Sequence, residues 1–106
     1  MTLEMFSGDE RPYWEPVVTV GGVAEDMTTG FTFEVNIAPT ATTTPSTVVK
    51  TTGITGGPAG AVTVAWAVGE LAIPPATYVV QLTATRTSDS KDWTVQDKLK
   101  IKPRLT

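Results

Sequence analysis

FTFEVNI, residues 31–37, sets four apolar side chains, Phe31, Phe33, Val35 and Ile37, in strict alternation with Thr32, Glu34 and Asn36. A period of two sends successive side chains to opposite faces of an extended strand, so this stretch has one dry face and one wet face. The pattern then recurs along the chain. Val62, Val64, Trp66 and Val68 alternate with Thr63, Ala65 and Ala67, and Tyr78, Val80, Leu82 and Ala84 repeat the phase. Trp93, Val95, Leu99 and Ile101 stand opposite Thr94, Gln96, Lys98, Lys100 and Lys102. Half-dry strands of this kind bury themselves as sheets packed on one another, and the alternation by itself names no activity.

Working outward, residues 3–6 read as a first short strand and residues 7–10 (Ser-Gly-Asp-Glu) as a turn. Residues 13–20 read as a second strand interrupted by Pro16, which has no backbone donor and belongs at an edge or a bulge. Gly21-Gly22 and the polar stretch from Glu25 to Gly30 are turns. Residues 38–47, APTATTTPST, are read as a long surface loop or as an arm that orders against a neighbouring subunit. Strands are expected at 48–52, 61–68, 77–86 and 93–102, with a glycine-rich turn at 53–60, a polar hairpin turn at 87–92 and at most a helical turn at 69–76. The sum is an all-β chain of about seven strands at sandwich-like spacing.

A length of 106 residues makes one domain, 1–106, large enough to bury a core. The chain has no Cys and no His, which removes disulfides, thiolates, the commonest general base and the commonest metal ligand. No stretch approaches the ~20 apolar residues that a membrane span needs, and the N-terminus lacks the pattern of a signal peptide. The expectation is a protein made in the cytoplasm, with no membrane partner. A net charge of −3 argues against nucleic-acid binding.

The charge is unevenly spread. Residues 1–34 carry seven carboxylates against Arg11 alone, whereas residues 90–106 carry five cations against Asp92 and Asp97. A solvated face, a pairing of the first strand with the last, and a head-to-tail contact between copies would each account for this.

Little in the sequence carries chemistry. Glu25-Asp26 is a carboxylate pair without controlled separation, and Asp9, Glu10, Glu25 and Asp26 have no calcium-loop spacing. Gly56-Gly57-Pro58-Ala59-Gly60 lacks the lysine and helix of a phosphate loop. No catalytic residue, metal or cofactor is expected. The candidate sites are interfaces. Tyr13 and Trp14 are adjacent, so both cannot face inward on a regular strand. Either one ring is buried while the other caps the sheet, or one is exposed to stack on a sugar or anchor a partner. Lys98, Lys100 and Lys102 share a strand face that suits an acidic partner or discourages edge-to-edge aggregation.

Several short motifs resemble the small immunoglobulin-like domain of tailed-phage structural proteins, best known from the N-terminal part of baseplate upper proteins. Met5-Phe6-Ser7-Gly8-Asp9 is similar to its opening strand and Gly-Asp turn, and Asp26-Met27-Thr28-Thr29-Gly30 to its polar turn, with one extra residue. Residues 60–64, Gly-Ala-Val-Thr-Val, match its Gly-x-Val-Thr-Val strand. Residues 71–78 match its Leu-to-Tyr approach to the next strand, with Ala76 where glycine is usual, and residues 101–106 resemble its tail. The resemblance implies an immunoglobulin-like antiparallel β-sandwich and a non-enzymatic virion component acting through protein–protein contacts. With nothing following Thr106, it points to a small accessory that decorates a capsid or tail, its partners being major capsid or tail proteins or further copies. A baseplate or tail-tip subunit and a carbohydrate-binding module for host adhesion are the alternatives.

Overall fold

The computed structural model describes residues 2–8, 13–40 and 48–103. Among them are nine strands: β1 Thr2–Phe6, β2 Thr19–Val20, β3 Val23–Ala24, β4 Phe31–Ala38, β5 Val48–Lys50, β6 Ile54–Gly56, β7 Val62–Val64, β8 Ala76–Arg86 and β9 Asp92–Lys102. The chain is all-β, as the alternation requires. Asp9, Glu10, residues 41–47 and residues 104–106 lie outside the described residues.

Five strands form the larger sheet, in the order β1-β9-β8-β4-β5. β8 and β9 make a long hairpin, in register from Ala76 opposite Ile101 to Thr85 opposite Asp92. β4 lies antiparallel on the other side of β8, from Phe31 opposite Arg86 to Ala38 opposite Val79. β5 covers only part of β4, pairing with Val35, Asn36 and Ile37.

The sheet is mixed, where a purely antiparallel one was expected. β1 runs parallel to β9, from Thr2 beside Lys98 to Phe6 beside Lys102. No hairpin joins these two strands, and the long intervening chain permits either direction. The parallel register sets Leu3 and Met5 beside Leu99 and Ile101, all buried, and Glu4 beside Lys100. Of the three accounts of the uneven charge, pairing between first and last strands is therefore realised. Lys102 Nζ also lies 3.3 Å from Glu4 Oε1.

A second layer covers the dry face. Residues 14–18 bridge β7 through Trp14 with Val64 and Val17 with Ala61, and β6 pairs with β7 on its other side. Pro16 donates nothing, yet its carbonyl accepts the Val62 N–H at 3.0 Å. The expected strand 13–20 is thus a bridged segment followed by the short β2. Val35, Ile37, Val80, Leu82 and Leu99 from the large sheet meet Trp14, Val18, Val62, Val64 and Trp66 from the second layer in one hydrophobic cluster.

Two further expectations are corrected. The turn expected at 53–60 contains β6 and a 3-10 turn at Pro58–Gly60. Gly56 belongs to β6 because a Cβ there would collide with the Met27 carbonyl and the Phe33 ring, so the glycine marks close approach rather than flexibility. The strand expected at 61–68 shrinks to β7; the Ala65 N–H still donates to Gly53 O in line with the β6 pairing, and a turn begins at Val68. At 69–76, where at most a helical turn is expected, the chain makes a turn and no helix.

Candidate functional site

The five-stranded sheet has a polar outer face and two ends of opposite charge. β8 and β9 span its length, and the molecule measures 46 Å along its longest axis against 25 and 22 Å across. One end carries Lys98 and Lys100, both exposed, with Lys102 half-buried over the Phe6 ring at 5.8 Å. The three lysines do share one face, alongside Glu4 and Phe6 of β1.

Trp14 is a different matter. Its ring is only 2% exposed, and its Nε1–H donates to Asp97 Oδ2 at 2.9 Å. A ring so enclosed cannot stack on a sugar or reach a partner, which corrects its reading as an interface residue. Tyr13 is the outward member of the pair, at 39% exposure. Positions 14, 16 and 18 are buried and 13, 15 and 17 exposed, so the alternation was present but its phase was hidden by Pro16.

Glu25 and Asp26 do not face each other as an acid and a base. Glu25 lies 3.7 Å from Arg86, while Asp26 accepts hydrogen bonds from the Thr28 hydroxyl and N–H. Those two donors favour the charged form and hold the Asp26 carboxyl below its ordinary value. Arg86 also forms a forked contact with Asp89, at 2.7 and 3.1 Å, which lowers the Asp89 pKa to about 2. Among the described residues no group of three or more Asp, Glu, His or Cys could hold a metal ion.

The sequence reading missed what lies at the opposite end from the lysines. Burial of the dry face fades there. Phe31, Phe33, Trp93 and Val95 are half-buried, whereas Val35, Ile37 and Leu82 are fully enclosed. The rings make a cluster, with Phe31 6.5 Å from Phe33 and 6.3 Å from Trp93, and the Arg86 guanidinium 4.9 Å above Trp93. Loops 25–30 and 87–91 close over this end, where Thr87 N–H donates to Gly30 O. Beside the cluster opens a cleft of about 690 Å³ whose lining includes Phe31, Phe33, Ile54, Thr51, Glu34 and Asp92. In the sequence these aromatics looked like ordinary core, because nothing there says that β5 stops at Lys50.

Lys50 is itself unforeseen. It ends β5 pointing inward, 3% exposed, with its Nζ 2.7 Å from Glu70 Oε1 and 5.9 Å from the centre of the Trp66 ring. Glu70 Oε1 also accepts the Ala67 N–H, so the pair ties the turn after β7 to the sheet. No family model, curated protein or solved structure matches the chain.

Proposed function

We propose that the chain is a non-enzymatic, immunoglobulin-like interaction domain serving as a small accessory subunit on a phage capsid or tail. The strand order is the observation that carries the fold part of this reading. In this reading β4, β8 and β9 correspond to strands C, F and G, and β5 to the additional strand found in variable-type domains. Residues 14–18, β7 and β6 fall in the order B, E and D of the facing sheet. Tyr78, near the start of β8, donates its hydroxyl hydrogen to Pro74 O at 2.6 Å, which is the tyrosine-corner arrangement of such domains. Ala76 needs no glycine, because it lies in β8 and is not among the residues with positive φ.

The virion part rests on the motif resemblance and on surfaces suited to protein contacts. The carbohydrate-binding alternative, built on Trp14 as a stacking ring, loses that ring to the core. Quantitative mass spectrometry of purified particles, read as copies per major capsid subunit, tests the role. A number scaling with the shell supports decoration, and a handful per particle moves the chain to the baseplate or tail tip. Absence from particles defeats the virion reading.

A further inference from the structure

β4 is only partly partnered. Its whole length pairs with β8, but β5 covers only Val35, Asn36 and Ile37 before the chain turns away at Thr51. Among the described residues, no strand pairs with residues 31–34 on the side away from β8. Alternate residues of an antiparallel strand aim their N–H and C=O groups at opposite edges, so this segment presents unmatched backbone groups to the lane that β5 vacates. The cleft lies in that lane, with Thr51 at the point where β5 ends.

The two walls of the lane differ. Phe31, Phe33 and Ile54 form an apolar wall on the core side, all half-buried for want of cover. On the solvent side stand Thr32 and Glu34, and the cleft continues across β4 to Thr83 and Thr85 of β8 and Asp92 of β9, with no lysine or arginine among the lining residues. The loops above carry Glu25 and Asp89, both paired with Arg86 at the end of β8, together with Asp26 and Lys91. An occupant must therefore be extended, apolar on one face and basic on the other.

We propose that residues 31–34 form an acceptor edge for an extended segment of a partner protein with alternating basic and apolar side chains. The segment adds a strand in line with β5, its backbone completing the β4 edge. Its apolar residues cover Phe31, Phe33 and Ile54, and its cations face Glu34. Four residues of lane, about 13 Å at strand spacing, fix the length of the core motif. The inference rests on the cleft alone and stands whether or not the chain belongs to a virion. This chain holds such a pattern, Lys98-Leu99-Lys100-Ile101-Lys102, locked between β1 and β8 and so unable to serve in place.

That pattern supplies the probe. A peptide Gly-Ser-Lys-Leu-Lys-Ile-Lys-Ser-Gly is titrated into the intact chain while amide chemical shifts are followed by NMR. The expected result is saturable binding with the largest changes at residues 31–34, 51 and 54. Replacing the peptide lysines by glutamates, or N-methylating its backbone at alternate positions, should weaken binding at least tenfold. Glu34→Lys should do the same, and Glu34→Gln, at an exposed site that leaves the fold intact, should weaken it by a smaller factor. Equal binding of the acidic peptide, full retention by the N-methylated one, or shifts centred elsewhere would each overturn the proposal. So would a concentration-dependent dimer joined through residues 31–34 without peptide, since the occupant would then be a second copy.

Discussion

Gly60 shows how much a single position can hold. Its φ is +74°, and a Cβ there would strike the Val18 carbonyl, where the 3-10 turn meets the bridged segment. Gly30 has a similar φ of +81° but open space around it. Left-handed backbone costs a side chain about 1–2 kcal/mol, and overpacking about 1–3 more. Gly60→Ala should therefore cost about 2–5 kcal/mol in urea unfolding, and Gly30→Ala no more than about 2. Equal losses would remove the close approach from the account. Lys50 and Glu70 make a second pair of unequal partners, with side-chain exposures of 1% and 17%. Glu70→Gln leaves a cation enclosed, whereas Lys50→Met leaves a carboxylate within reach of water. Breaking buried pairs costs about 3–5 kcal/mol. Glu70→Gln should approach the low end of that range, and Lys50→Met should cost less, both measured by thermal or urea unfolding.

Asp89 gives the pH dependence at this scale. A carboxylate whose folded pKa is lowered binds fewer protons than the unfolded chain, so its stabilising effect is complete above the unfolded value near 3.8 and is lost as pH falls toward about 2. Asp26 is lowered in the same direction. The urea midpoint should hold steady from pH 6 to 4 and fall between 4 and 2, with Asp89→Asn reducing the fall. A midpoint that drops between pH 6 and 5 would point to other groups.

At the scale of elements, the strands that could be read were those whose alternation lies on a long, uninterrupted ladder. β4, β8 and β9 fall within a residue of the expected bounds because each keeps a dry face, buried or half-buried, in unbroken alternation along its length. β6 was hidden because Gly56 reads as a turn residue when only its lack of a Cβ, not its flexibility, is used. The direction of β1 was hidden for a different reason: alternation fixes which face a residue joins, not which way a neighbouring strand runs. Its partner was legible only as opposite charge. The candidate site suffered most, since Tyr13 and Trp14 were separable only by phase and the open lane depends on where β5 stops. β1 carries its own prediction. Met5 is 2% exposed beside Ile101, so Met5→Ala should cost about 2–4 kcal/mol. Glu4→Lys, facing Lys100 and Lys102 at the surface, should cost less than about 1 kcal/mol and recover in high salt. A larger loss for Glu4→Lys than for Met5→Ala would mean that charge, not burial, docks β1.

For the whole molecule, the two layers give a rigid middle and two ends of unlike character. The lysine end is closed by β1 and its pairing with β9. The other end leaves aromatic rings half-covered and, among the described residues, one side of residues 31–34 without a strand, so it is the end that natural edge protection does not guard. The described part of the sheet therefore consists of a laddered centre and an unfilled lane, and the proposed acceptor edge depends on that lane. Amide hydrogen exchange of the free chain, read residue by residue by NMR, tests it most directly. Amides of β8 from Val79 to Thr85, flanked on both sides, should all exchange slowly, as should the amides of Val35, Asn36 and Ile37 in β4. Within residues 31–34, alternate amides should exchange fast, as their donors face the open lane. Uniform slow exchange along the whole of β4 would mean that the lane is already filled and would contradict the account.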